Sequence, residues 1–141
     1  VTTGDAGLGE EEGSVLLLTL GYVLLAVAVI FVCVCATDLY IAQKQLDALA
    51  DSAALAGADG FTLQVEGDAV RAELSDAGVQ EQAAALVAAL PSDCELVSAS
   101  TPDGVSARVT VAMTWHPPLL SPFVPEGVAL ESTATSRTAL E

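Results

Sequence analysis

The 141 residues contain no asparagine, one histidine, one methionine and one tryptophan, and only 4 Lys and Arg against 19 Asp and Glu. Without asparagine there is no acceptor for N-linked glycosylation. The net charge of −15 excludes nucleic acid and anionic lipid headgroups as main partners, because both require clustered Lys and Arg. Three cysteines are too few for a disulfide framework. Cys33 and Cys35 would stand about 200° apart around a helix, so they cannot pair with each other and read as small apolar residues. Cys94 reads either as a buried thiol or as one half of an intermolecular bridge. His116 has no partner at ligand spacing: there is no CxxC, HxxxH or EF-hand loop, and no Walker or GxGxxG loop either. His116 therefore reads as structural, and the chain as a non-enzyme with neither metal nor cofactor. The run Glu10-Glu11-Glu12 reads as a solvated helix start at the positive end of the dipole, with weak divalent-cation binding the other reading.

A chain this acidic should be polar, yet 52% of it is hydrophobic and its mean hydropathy is +0.58. The two coexist by segregation. Residues 14–37 are 24 consecutive positions without a charge. As a helix they span about 36 Å, enough to cross a hydrocarbon core of about 30 Å. Apolar side chains occupy every face, which predicts a transmembrane helix in contact with lipid or with like helices. Leu17, Gly21, Leu24, Val27 and Phe31 are its candidate membrane or filament packing residues. Gly21, Ala26 and Ala28 would permit close helix approach, although lipid contact alone explains them equally. Asp5 and Glu10 to Glu12 precede the span and give residues 1–13 a charge of −4; the remaining −11 follows it. The flanks offer only Lys44 to the positive-inside rule, so charge alone does not orient the helix.

Helical spacing continues beyond Thr37. Leu39, Ala42, Leu46, Leu49, Ala50, Ala53 and Ala56 form one stripe, with Asp38, Lys44, Asp47, Asp51 and Ser52 on the remainder. A single helix of about 45 residues is predicted, greasy all round in its first half and amphipathic over 38–58, ended by Gly57, Asp59 and Gly60. In the body, residues 59–141, Asp68 predicts the N-cap of a short helix closed at Gly78, and residues 80–90 a second helix stopped by Pro91. Residues 94–100 read as a strand, 101–104 as a Pro-Asp-Gly turn and 105–116 as an alternating strand. A loop over 117–127 holds four of the six prolines, and a third strand follows at 128–140. The expected fold class is α+β: a long N-terminal helix packed by a small ectodomain of two short helices and a three-stranded antiparallel sheet, type IV pilin-like.

The helix carries a resemblance. Gly13-Ser14-Val15 opening the apolar run, Asp38-Leu39-Tyr40, and residues 45–58 (QLDALADSAALAGA) resemble the N-terminal region of TadE/TadG-like minor pilins of the tight-adherence (Tad or Flp) pilus system. Asp38, Tyr40, Leu46, Asp51 and Ala54 lie in this block. The strand ending in an aromatic, the Pro-rich loop and the Ser/Thr-Ala strand ending at Ser136-Arg137 resemble the family more weakly. The resemblance implies a cell-envelope protein with one membrane span and an extracytoplasmic C-terminal domain. It also implies partners among other pilin subunits, pilus platform proteins and the prepilin peptidase, with homo- or hetero-oligomers formed through the long helix. Many such pilins have a basic leader ending in Gly and a Glu fifth in the mature chain. Here no Lys or Arg precedes the helix; cleavage after Gly7 would put Glu12 fifth, whereas a mature chain starting at Val1 would put Asp5 there. Glu12 is the candidate carboxylate, which a neighbour's N-terminal amine would stabilise in a filament.

The leading reading is a structural one, a minor pilin, with a major filament subunit and a surface adhesion module as alternatives. A minor pilin would join or prime a filament. A major filament subunit would build it. A surface adhesion module would bind through the loop 117–125, where Leu119, Leu120 and Phe123 are either an exposed apolar contact patch or core residues folded back onto the body.

Overall fold

The computed structural model describes residues 8–90, 93–118 and 120–138, and the side chains of all of these except 8–12 and 69. Helix α1 (Leu8–Ala58) runs unbroken for 51 residues and ends in the predicted place, where the Asp59 and Gly60 amides close its last turn onto Leu55, Ala56 and Gly57. By packing, the chain divides into two compact units, Val1–Thr37 and Asp38–Glu141. The first contains the apolar part of α1. Its large aliphatic side chains are exposed, and the hydroxyls of Thr19 and Thr37 donate back to the carbonyls of Val15 and Cys33 at 2.8 Å. Those bonds leave no side-chain donor of these threonines asking for water, which is what a hydrocarbon environment requires.

The second unit is α+β. The three-stranded sheet has the order β3 (Cys94–Ser100), β4 (Ser106–Trp115), β5 (Val128–Arg137), antiparallel throughout. The core is the face where the amphipathic part of α1 and helix α2 (Asp76–Ala89) meet this sheet: Leu46, Leu49, Ala50, Ala53, Ala54 and Ala58 pack with Val79, Ala83 and Val87 and with Ala99, Ala107, Val109 and Val111. Alanine dominates the helical side, so the elements approach closely. Two glycines take this further. A Cβ on Gly78 would stand 2.7 Å from the carbonyl oxygen of Gly60, and one on Gly60 would stand 2.8 Å from that of Gly78. Backbone meets backbone there, and only glycine fits.

One predicted element is different. Instead of a helix over 68–77 there is a hairpin, β1 (Thr62–Glu66) and β2 (Ala69–Glu73), paired from Thr62↔Glu73 to Glu66↔Ala69. The second unit therefore holds one short helix, α2 (Asp76–Ala89), not two, and a second, two-stranded sheet. The physical reason lies in Gly67. It is the first of two loop residues and adopts φ +70°, the backbone twist that two-residue hairpins favour. Alternation of Leu63 and Val65 with Gln64 and Glu66 supports the strand. Asp68 caps nothing; the N-cap is Ser75, whose side chain accepts the Gly78 amide at 3.1 Å, so Gly78 opens α2 rather than closing a helix.

Strand β3 also breaks simple alternation. Its register with β4 shifts between Leu96 and Ser98, a bulge that turns Ala99 inward three residues after Leu96. The turn into β4 is built on Asp103, whose carboxylate accepts the amides of Val105 (3.1 Å) and Ser106 (2.6 Å) and the Ser106 hydroxyl (2.9 Å).

Candidate functional site

The residues singled out from the sequence lie along α1 and in the loop between β4 and β5. In the apolar unit, Leu17, Gly21, Leu24 and Val27 are exposed and Phe31 is half-buried. Glu12 falls within α1, but its side chain lies outside the described residues.

In the second unit, the residues of the family-like block divide by role. Leu46 and Ala54 are fully buried and carry the core contact of α1. Asp51 is exposed. Tyr40 is exposed too, with the Lys44 ammonium 5.9 Å from its ring centroid. Asp38 accepts a 2.8 Å hydrogen bond from the indole nitrogen of Trp115, the last residue of β4. This ties the first residue of the unit to one end of the sheet.

A second tie, at Asp47, was not singled out from the sequence. Its carboxylate accepts hydrogen bonds from the Ser132 hydroxyl of β5 (2.8 Å), the Gln43 amide (3.0 Å) and the Lys44 ammonium (3.1 Å). Asp47 and Ser132 are 85 residues apart, so no local pattern announces the pair. The Ser132 hydroxyl, then Gln43, then Lys44 hold the Asp47 carboxyl below the usual carboxylate range. Asp103 is lowered likewise by the Val105 amide, the Ser106 hydroxyl and amide, and the charge of Arg137.

A carboxyl whose folded pKa is depressed stabilises the fold above its unfolded value of about 4, and that contribution is lost as pH falls through the lower folded value. The detergent-solubilised chain should therefore melt at a steady temperature down to about pH 5 and lose stability below about pH 4. The double substitution Asp47→Asn with Asp103→Asn should start lower at neutral pH and show a shallower acid decline. An acid decline as steep in the double variant as in the wild type would count against this assignment.

The Pro-rich loop between β4 and β5 is ordered by turns. The amides of Phe123 and Val124 both reach the Leu120 carbonyl, at 2.8 and 3.0 Å, and the Ser121 hydroxyl reaches that of Pro117 at 3.1 Å. Phe123 is 80% exposed and Leu120 is half-buried, while Leu119 lies outside the described residues. His116, at the loop's start, is exposed, and Gly127 at its end, with φ +68°, passes so close that a Cβ there would stand 3.0 Å from the imidazole Nε2. Cys94 is half-buried at the start of β3. Among the described residues no group of three or more His, Cys, Asp and Glu is placed to hold a metal ion.

No curated protein and no solved structure matches this chain significantly. A family model does, over the segment that contains the apolar span, Asp38, Asp47 and the buried alanine stripe. Residues 13–60, about a third of the chain, match the family described as "Putative Flp pilus-assembly TadE/G-like".

Proposed function

We propose that the protein is a membrane-anchored minor pilin that takes part in assembling or priming a Tad-type surface pilus. The match over residues 13–60 supports a part in Flp pilus assembly, and the apolar helix fits a membrane-anchored envelope protein. The observation that carries the finer reading is the division of labour within α1. Over residues 14–37 the large aliphatic side chains are uncovered, whereas farther along one stripe, Leu46, Leu49, Ala50, Ala53, Ala54 and Ala58, is buried against the chain's own sheet and second helix. A helix that satisfies one half internally and leaves the other half greasy is suited to two successive environments, a bilayer and then a bundle of like helices. Leu17, Gly21, Leu24, Val27 and Phe31 would make the packing contacts, and Glu12 the charge contact at the helix head. Other pilin subunits and the platform proteins would be its partners, the prepilin peptidase its processing enzyme, and the cell envelope its place, with the second unit outside the cytoplasm.

Mass spectrometry of pili sheared from cells that make this protein tests the reading. Peptides of residues 45–71 should appear at a small fraction of the abundance of the principal subunit. Equal abundance would make the chain the major subunit instead. Absence from the filaments, together with normal piliation when the gene is deleted, would overturn both.

A further inference from the structure

We propose that the loop joining β4 to β5, with its exposed Phe123, enters the water–lipid interface of the bilayer that holds residues 14–37. The proposal rests on the membrane-anchored reading above and adds a second, peripheral contact to it.

The placement follows from chain connectivity within the second unit. Asp38 is the first residue of that unit and the first charge after the uncharged run. A helix leaving hydrocarbon at Thr37 therefore sets the Asp38 carboxylate at the lipid headgroups. Trp115 donates its indole N–H to that carboxylate at 2.8 Å, and Trp115 pairs with Val128 as the last rung of the β4–β5 ladder. Both feet of the loop thus stand beside Asp38.

The loop's chemistry suits that position. At 80%, Phe123 is the most exposed large apolar side chain among the described residues, above any in the apolar run itself. It is not on a slack segment, since consecutive amides of Phe123 and Val124 are bonded to the Leu120 carbonyl and Gly127 donates to the Val124 carbonyl at 3.1 Å. Pro117, Pro118, Pro122 and Pro125 remove four backbone N–H groups that would otherwise have to be satisfied at the edge of the hydrocarbon. The chain has six aromatic residues, and three of them, Tyr40, Trp115 and Phe123, belong to this end of the unit. Trp and Tyr concentrate at membrane–water boundaries, where an apolar ring and a polar edge are both accommodated, and beside them the wholly apolar ring of Phe123 would reach into the hydrocarbon margin. The loop carries no Lys or Arg and one acid, Glu126, so its partner is the apolar margin of a bilayer and not an anionic headgroup.

The test uses the full chain in phosphatidylcholine vesicles with brominated acyl chains, and reads tryptophan fluorescence added to the Trp115 baseline. Three single variants are compared: Leu25→Trp within the apolar run, Phe123→Trp in the loop, and Val65→Trp on the exposed β1–β2 hairpin. The expected result is strong quenching by deep bromines for Leu25→Trp. Phe123→Trp should show a blue shift and quenching by shallow bromines only, weakened when phosphatidylglycerol is added. Val65→Trp should show no quenching. If position 25 is quenched while position 123 stays in water, the loop proposal falls, the membrane anchor stands, and the loop returns to an adhesive role toward a protein or glycan ligand. Equal quenching at 65 and 123 would overturn it as well, because the body as a whole would then lie on the lipid. If position 25 itself is unquenched, the membrane reading fails and the loop proposal with it.

Discussion

Leu24→Arg should abolish surface piliation while leaving the chain in the membrane fraction. Leu24 lies near the middle of the uncharged run and is 62% exposed. An arginine at the centre of a span costs about 2.5–3.5 kcal/mol on insertion scales, against gains of roughly 0.3–0.6 kcal/mol for each Leu, Val, Ile or Phe. The run has 14 such residues, and the 13 that remain supply roughly 4–8 kcal/mol, so insertion survives. What fails is packing. A guanidinium must snorkel toward water or find a partner, and neither is compatible with the face of a helix buried among other helices. Resistance to alkaline extraction should thus be retained while electron microscopy finds no filaments, and Leu24→Ile should restore them. Normal piliation of Leu24→Arg would rule out the pilin reading, since an apolar face that tolerates a central charge is not a subunit interface.

Leu46→Ala should be the most damaging single truncation in the second unit. Leu46 is fully buried, packed among the alanines of α1 and the valines of β4. Leu-to-Ala changes at such sites cost about 2–5 kcal/mol through lost transfer energy and the cavity left behind. A domain of this size is stable by about 5–15 kcal/mol in total, so the variant should melt at least about 10 °C lower. Ile41→Ala offers the control: it stands on the same helix but is 48% exposed, and its cost should stay within about 0.5 kcal/mol. The emission of Trp115, the sole tryptophan, reports melting of this unit without interference from the apolar helix. Equal shifts for the two variants would show that the stripe through Leu46 is not the core contact.

Much of the framework could be read from local pattern because each element states its own period. Ala107, Val109 and Val111 alternate with Ser106, Arg108 and Thr110, and β4 runs through them from Ser106 to Trp115, one residue inside each end of the expected strand. The strand expected at 94–100 is β3 with the same limits. Residues 68–77 read as helix because Ala69, Arg71, Ala72, Glu73 and Leu74 are good helix formers, while the strand signal lies outside them, in the short alternation over 63–66 and in Gly67. There the hairpin turn at Gly67 outweighs propensity. The loop 117–125 was legible as Pro-rich and apolar, but its two alternatives were not separable: Phe123 is exposed rather than folded into the core, and that depends on how the turns around Leu120 close.

The sparse basic residues and the excess of acid, taken alone, described an acidic protein with no nucleic-acid partner. Their segregation around 24 uncharged positions was decided entirely by sequence, because lipid compatibility depends on composition and length and on no distant contact. The amphipathic stripe after Thr37 belongs with it, since helical period alone places those side chains on one face. The ties that give the second unit its shape are different in kind. Asp38 with Trp115, Asp47 with Ser132, Gly60 against Gly78 and the inward turn of Ala99 each join positions that only the folded chain brings together, or depend on a ladder register that only a partner strand imposes. Hydrogen bonds and backbone contacts act over a few ångströms, and which groups come that close is a property of the tertiary packing.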